Sequence, residues 1–401
     1  HGHVRARRVR LRCGGAGVVS GRVAVNMSAV PDFKALANPA IRTLAAYDPG
    51  HDIPSLRHRF ADAGGLLELG SNENPFGPSP SVLAAINAEL DRLHRYPDPC
   101  GKALKQAIAQ AHGIDMAHIA LGNGSHELLM QLAQVFVGPD DEVLLSRYCF
   151  AVYPIAAKAV GAKLVFVDAF PADHAMPLGH DLEAMAAAIT PRTKLICLAN
   201  PNNPTGTWCD SSQLSAFLAR VPSHVLVLVD EAYIEYVTDP ALVSTLKLCE
   251  MFPNLIVTRT FSKAYGLAGL RVGYAVADPG LLALMEPIRE SFNLNSLALT
   301  AAETALADDA HLQSVVVQNT AEREWLDAAL RSIGLQVLPS QTNFLLVHFG
   351  AKTAAIEQAL FERGVIVRPM VGYGLGDYLR ITVATHPENQ RLLANLQAVL
   401  S

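Results

Sequence analysis

No apolar run in this 401-residue chain reaches the roughly 20 residues that a helix needs to cross a bilayer, so a membrane role has no support. Excess basic charge is missing too. The formal net charge is -5, whereas nucleic-acid binding generally needs a cationic face to displace counterions from phosphates. The six cysteines, at positions 13, 100, 149, 197, 209 and 249, show neither C-x-x-C spacing nor the compact framework that staples small secreted domains. Several sit in apolar runs such as Leu195 to Leu198, and they read as reduced, buried thiols of a cytoplasmic protein. Charge blocks and internal repeats are absent as well. Half of the residues are hydrophobic and 17% are charged, the balance of an ordinary globular chain. The length favours a large domain carrying a smaller one.

The first 26 residues differ from the rest of the chain, with six arginines, no acid and a Gly-Val-rich stretch without amphipathic period. Transit peptides are Arg-rich and acid-poor, but this segment lacks their serine enrichment. The plainer expectation is a non-native or disordered extension ahead of a start at Met27. Residues 27–75 are expected to pack on a small domain or on a partner subunit, 76–290 to form a large domain and 291–401 a small C-terminal one. Between 76 and 290, short β-branched runs alternate with longer helical patterns, the signature of an α/β fold with helices on both faces of a parallel sheet. Candidate strands are Glu142 to Leu145, Lys163 to Val167, Leu195 to Leu198, Val225 to Val229, Leu255 to Thr258 and Val272 to Val276. Each is nearly continuously apolar, as strands covered on both faces are. Leu128, Leu129, Leu132, Val135 and Phe136 fall on one helical stripe. A long helical pattern over Leu297 to Leu335 precedes further strands at Asn343 to Val347, Val365 to Val367 and Leu379 to Val383.

Several segments carry chemistry. Lys263 comes after the apolar run Leu255 to Thr258, which places it at a strand's carboxyl end. Ligands of open α/β sheets bind at that edge, where a sheltered amine can condense with an aldehyde; alone, the residue would more often be a surface lysine. Val225 to Val229 ends in Asp230-Glu231-Ala232-Tyr233. A carboxylate there needs a cationic partner, such as a protonated pyridine nitrogen, unless it simply caps a helix. Ala199 to Gly206 is a Pro/Asn-rich turn in which two prolines would hold the Asn203 amide in one direction. Gly122-Asn123-Gly124-Ser125-His126 opens the Leu128 helix, so its backbone amides can face a phosphate, with Ser262 and Arg271 completing a cup. Arg380 stands inside the apolar strand Leu379 to Val383, either in an internal salt bridge or facing a substrate carboxylate that suits the guanidinium fork. No metal site is called for.

In order and content, these motifs resemble fold-type I pyridoxal-phosphate enzymes. Ser71-Asn72-Glu73-Asn74-Pro75-Phe76-Gly77-Pro78, Arg95-Tyr96-Pro97-Asp98, the Asn-Pro-Thr-Gly loop and the Asp230 and Lys263 segments bring the resemblance closer still to the histidinol-phosphate aminotransferases, over about residues 38 to 398. It implies a mostly parallel seven-stranded sheet between helices, a smaller α/β domain and pyridoxal 5'-phosphate as cofactor. Lys263 would bond the cofactor and move the proton at the substrate α-carbon. Asp230 would face the ring nitrogen, and Asn203 and Tyr233 the phenolic oxygen. Ser125, His126, Ser262 and Arg271 would hold the phosphate. Phe150 would stack on the ring at a place often taken by tyrosine, which keeps the aromatic face and loses the hydroxyl. Tyr96 would reach the cofactor phosphate of a neighbouring subunit, implying a homodimer. Arg380, Arg368, Tyr47 and Asn72 would contact substrate, Arg368 and Tyr47 through its phosphate.

The implied reaction is transamination of L-histidinol phosphate with a 2-oxo acid acceptor, 2-oxoglutarate. Aromatic aminotransferases and threonine-phosphate decarboxylases share the pattern, and a non-catalytic member of the fold is the alternative of another class.

Overall fold

The computed structural model describes residues 32–48, 50–60 and 65–401. The Arg-rich extension, Cys13, Met27 and Pro49 lie outside them. A seven-stranded sheet runs in the order Ile119–Gly122, Gly273–Val276, Leu255–Thr260, Leu226–Asp230, Thr193–Ala199, Glu142–Ser146, Lys163–Val167. Six of these strands match the expected apolar runs to within two residues at either end. The seventh, Ile119–Gly122, is only four residues long and ends in a Gly-Asn-Gly turn, so no strand pattern builds up there.

The sheet explains why the middles of its strands are apolar on both faces. Val143 and Leu145 enter one core with Leu195, Cys197, Leu228 and Ile256, whereas Leu144 enters another with Ile196, Leu198, Val227, Val229 and Val257. Successive strand side chains point to opposite faces, and here each face has a covering of helices. The helix Ser125–Phe136 brings Leu128, Leu129 and Leu132 to the first core. Lys102–His112 brings Leu104 and Ile108 to the second. Each such side chain, fully buried, contributes about 1.5–3 kcal/mol.

Strand direction positions the site. Gly273–Val276 is antiparallel to both neighbours, and the remaining pairs are parallel. Ala199, Asp230 and Thr260 therefore end their strands at one edge of the sheet, and Gly122 and Gly273 lie in register with Thr260 along it.

A second, four-stranded antiparallel sheet has the order Arg368–Pro369, Tyr378–Thr382, Phe344–His348, Gln336–Val337. The long helical pattern before it divides into Ser296–Ala307 and Asp309–Ser332. Asp308 breaks it because its carboxylate accepts from the His311 amide and caps the second helix, a preference of aspartate that competes with helix continuation. Val365–Ile366 pairs in parallel with Leu67–Glu68, and His51 stacks at 4.9 Å on Phe361 of the helix Thr353–Glu362, so these parts of the N-terminal segment lie against the C-terminal part of the chain.

Among the described residues, no helix is long and apolar enough to cross a membrane. Cys149, Cys197, Cys209 and Cys249 are buried free thiols, but Cys100 is exposed. That corrects the expectation of uniform burial: Cys100 sits on the turn that precedes the helix Lys102–His112 rather than in an apolar run.

The segment carrying Lys263 is pressed against another backbone. Gly266 has φ +70°, and a Cβ there would lie 2.6 Å from the carbonyl carbon of Gly77. Both the left-handed backbone and the contact exclude a side chain. Gly266→Ala is expected to lower stability by about 1–3 kcal/mol, measured as a fall in the thermal unfolding midpoint; an unchanged midpoint would show that the two segments are not locked together.

Candidate active site

Every candidate site residue except Tyr96 lines one cavity of about 250 Å³ at this sheet edge. Tyr96 is 82% exposed and stacks on Phe292 at 4.5 Å. A roomier cavity, about 350 Å³, opens beside Leu121 and Met285 and contains none of the candidates. Of its charged groups, Glu286 and Arg289 pair with each other, Asp98 accepts from the Cys100 and Lys102 amides and Lys105 is acted on by the same Glu286.

Lys263 leaves the strand Leu255–Thr260 and reaches back into the cavity, where Nζ donates to the carbonyls of Asn72 at 3.1 Å and Ser71 at 3.3 Å. Burial, aided by the Arg380 guanidinium, pulls its pKa down to about 7. A large share of the amine is therefore neutral at pH 7, and only the neutral amine is a nucleophile.

Asp230 is buried at the end of its strand. It caps no helix, since the next helical turn, Ile234–Tyr236, begins after Tyr233. Oδ2 accepts from the Tyr153 hydroxyl at 3.1 Å, while Oδ1 has no partner, and burial pushes the carboxyl pKa up to about 6. A desolvated carboxylate oxygen left bare is costly, and a cation in the cavity would relieve it.

The loop bearing Asn203 is fixed by its neighbours rather than by its prolines alone. The Asn202 amide nitrogen donates to Thr207 O at 2.8 Å, and the Asn202 side chain donates to Tyr148 O at 2.8 Å. Asn203 Oδ1 accepts from Arg380 at 2.6 Å, which leaves Nδ2 as the atom free to donate. The Tyr233 hydroxyl accepts from Asn72 Nδ2 at 2.9 Å. Burial raises that phenol to about 12, so it keeps its own proton to donate.

At the other end of the cavity, the twelve-residue helix Ser125–Phe136 begins after Gly124. The first amides of a helix have no intrahelical acceptor and carry the positive end of its dipole. Arg271 donates to Ser262 Oγ at 3.1 Å, and a Cβ on Gly124 would fill the place of its guanidinium. Burial, then Arg271, lowers the His126 pKa and favours the neutral imidazole. Phe150 lines the same cavity and meets Tyr153 edge-on at 5.7 Å. Amine, bare carboxylate, two phenol-directed donors, an aromatic face and an anion cup suit a phosphorylated pyridine aldehyde at its aldehyde, nitrogen, phenolic oxygen, ring and phosphate respectively.

Arg368 and Arg380 are directly opposed in the four-stranded sheet. Like charges placed so are destabilising. Among the described residues no carboxylate pairs with Arg380, which donates to Gly70 O at 2.6 Å and to Asn203, leaving Nε unsatisfied. Arg368 is held by the backbone carbonyl and, at 3.5 Å, the carboxylate of the exposed Asp48, beside half-exposed Tyr47. Asn72 has a left-handed backbone, φ +55°, rare for a non-glycine residue and typical of strained functional positions.

Three residues to which the sequence pattern assigns no role support these. Thr382 Oγ1 accepts from the Asn72 amide nitrogen at 3.0 Å, and Asn343 donates to the Asn72 carbonyl at 3.1 Å. Tyr153 lies under Asp230. Its place three residues after Phe150, whose carbonyl accepts from the Tyr153 amide at 3.1 Å in the turn that opens the helix Val152–Ala159, is the available signal.

A sequence profile described as "Aminotransferase class I and II" matches residues 65–396. "Histidinol-phosphate aminotransferase 1" of Nitrosococcus oceani is 46% identical over 92% of this chain and 98% of its own. "Histidinol-phosphate aminotransferase 2" of Pseudomonas aeruginosa is 44% identical over 92% and 99%. The crystal structure of histidinol-phosphate aminotransferase from Sinorhizobium meliloti in complex with pyridoxal-5'-phosphate superposes with a TM-score of 0.79 at 33% identity, over 93% of this chain and 99% of that one.

With the amine of Lys263 at about 7, cofactor-free protein mixed with pyridoxal 5'-phosphate is expected to develop its near-visible absorbance at a rate that rises through pH 7. A rate that keeps climbing toward the ordinary lysine value of about 10.4 would show that the amine is not depressed.

Proposed function

The chain belongs to the class I and II aminotransferases, and within them we propose that it transfers the amino group of L-histidinol phosphate to 2-oxoglutarate, giving imidazole acetol phosphate and L-glutamate. The observation that carries this reading is the opposed pair Arg368 and Arg380 facing the same cavity as Lys263, Arg380 with no carboxylate partner among the described residues and Arg368 with only that of the exposed Asp48 at 3.5 Å. One substrate brings a phosphate, the other an α-carboxylate. Two guanidiniums side by side suit both, since each offers bidentate donors to an anion.

Pyridoxal 5'-phosphate supplies the aldehyde that bonds the amino group and the ring that takes up the electron pair released at the amine-bearing carbon. The protein's part is attachment, orientation and proton transfer. Lys263 Nζ, neutral in large part at pH 7, attaches the cofactor and, once displaced, takes the proton from the amine-bearing carbon and returns one. Asp230 Oδ1 would accept from the ring nitrogen and keep it protonated. Tyr233 and Asn203 Nδ2 would donate to the phenolic oxygen. The Ser125 and His126 amides, with Ser262 and Arg271, would hold the phosphate, and Phe150 would cover one ring face. Asn72 serves the substrate side chiefly by holding the Tyr233 hydroxyl and, through its carbonyl, Lys263. Tyr47 and Arg368 grip the substrate phosphate.

Tyr96, outside the cavity and exposed, belongs to the cofactor phosphate site of the second subunit of a homodimer. Residues 76–290 act as the cofactor-binding domain and 291–401 as the smaller domain, with the segment 27–75 packing on the smaller domain or on the partner subunit. The buried free thiols favour a cytoplasmic setting. An aromatic aminotransferase would use the same cofactor groups but has no need of Arg368.

Lys263→Ala is expected to abolish both the near-visible absorbance of the cofactor-saturated protein and the conversion of histidinol phosphate. Absence of that absorbance in wild type would overturn the reading. Arg368→Ala is expected to raise KM for histidinol phosphate about 10- to 100-fold, the worth of a hydrogen bond to a charged group, with far less effect on phenylalanine; equal effects on both would make the substrate an aromatic amino acid.

A further inference from the structure

Asp230 is the carboxyl that would meet the ring nitrogen, and one side chain outside the cavity hydrogen-bonds to it. Tyr153, on the helix Val152–Ala159, is 2% exposed and Asp230 4%. The hydroxyl of Tyr153 donates to Oδ2 at 3.1 Å. The opposite oxygen, Oδ1, is the one left without a partner, and Asp230 lines the cavity whereas Tyr153 does not. The same tyrosine packs edge-on against Phe150, whose ring lines the cavity.

We propose that Tyr153 is a positioning residue for the cofactor's ring nitrogen: its hydroxyl pins one oxygen of Asp230, turns the other into the cavity and holds the carboxyl ionised there. The proposal rests on the reading of this cavity as a pyridoxal-phosphate site and deepens it.

Three physical points support it. First, a carboxylate in so dry a place is biased toward its neutral form, and a neutral acid cannot hold a pyridinium. A phenol donating to the carboxylate opposes that bias, and such charge-assisted bonds are the stronger kind. Burial raises the Asp230 pKa, and the Tyr153 bond is the largest influence lowering it again. Secondly, the phenol stays a donor, since its own pKa is driven well above the usual value by burial and by Asp230. Thirdly, the other neighbours do less: the Thr258 hydroxyl and the Ala232 backbone amide favour the charged carboxyl in the same sense but less than Tyr153 does. Glu231, next in the chain, disfavours the charged carboxyl. Cys149 and Cys197 are themselves raised by burial and stay neutral thiols. Tyr233, on the far side, points its hydroxyl at Asn72. Lys263 and Arg380 face the carboxylate as cations across the cavity, and Lys263 loses its charge above about 7.

Tyr153→Phe removes one oxygen and keeps the ring against Phe150, which makes it the direct test. Pyridoxal 5'-phosphate affinity would be titrated from pH 5 to 9 in wild type and variant, alongside the chemical shift of the pyridine nitrogen in 15N-labelled holoenzyme. Cofactor binding is expected to weaken about tenfold or more, with the acid limb of the affinity profile moving to higher pH and the pyridine nitrogen losing its proton at lower pH than in wild type. A purely structural tyrosine would lower the unfolding midpoint and leave both pH limbs in place. Unchanged limbs and unchanged affinity overturn the proposal while leaving the cofactor reading intact. Failure of wild type to bind pyridoxal 5'-phosphate at all overturns both.

Discussion

A carboxylate with one bare oxygen, placed at the end of a strand that is buried on both faces, is the constraint on which the rest of the active site depends. Among the described residues no cation makes an ion pair with Asp230, and its Oδ1 has no hydrogen-bond partner. Its pKa near 6 rather than 3.8 corresponds to roughly 3 kcal/mol at neutral pH, at about 1.36 kcal/mol per unit. A fold that carries such a cost is completed by a cation. The cation must be flat enough to lie against Phe150, must end near a depressed lysine and must bear an anion for Arg271. These demands come from different parts of the chain, and one molecule meets them together.

The demands converge because of topology. Parallel strands end at the same edge, so residues 31 and 33 positions apart, Ala199, Asp230 and Lys263, are brought together without any local sequence signal linking them. The single antiparallel strand, Gly273–Val276, enters the sheet from that edge, and so Arg271 lies beside Gly124 although 147 residues separate them. The second sheet then closes the cavity with Arg380 and Arg368. A binding site at the carboxyl ends of parallel strands is the general outcome of this architecture. The particular chemistry depends on which residue each strand happens to end with.

That division also explains what the sequence could and could not disclose. Asp230 is visible because it ends an uninterrupted apolar run, so that a charge there stands at a sheet edge, and Lys263 because it comes three residues after the strand Leu255–Thr260 ends. Arg380 is visible by the same contrast. Tyr153 is not: an aromatic residue within an apolar helix reads as core, and its hydrogen bond reaches a residue 77 positions away. The contact of Arg368 with Asp48 spans 320 positions and leaves no trace in local pattern. Ile119–Gly122 is hidden for a different reason, because four residues running into a glycine turn give too little periodicity. Asp308, in contrast, is readable as a cap but lies within a pattern long enough to suggest one helix.

The unfilled charges set how the cofactor-free protein responds to pH. The Asp230 pKa is raised on folding, so its destabilising contribution is fully present above about 6 and disappears as the pH falls below the unfolded value of about 3.9. The Lys263 pKa is lowered, so its contribution is fully present below about 7 and disappears only as the pH rises past about 10.4. Between about 6 and 7 both act at full strength, which is where a ligand carrying one positive nitrogen and one aldehyde has most to relieve. Whatever binds the folded chain alone stabilises it in proportion to the logarithm of its concentration over its dissociation constant. Cofactor uptake would thus be coupled to stability through Asp230 and Lys263, and the directly opposed arginines, of which only Arg368 meets a carboxylate, the exposed Asp48, add a further concentration of positive charge that an anion would offset.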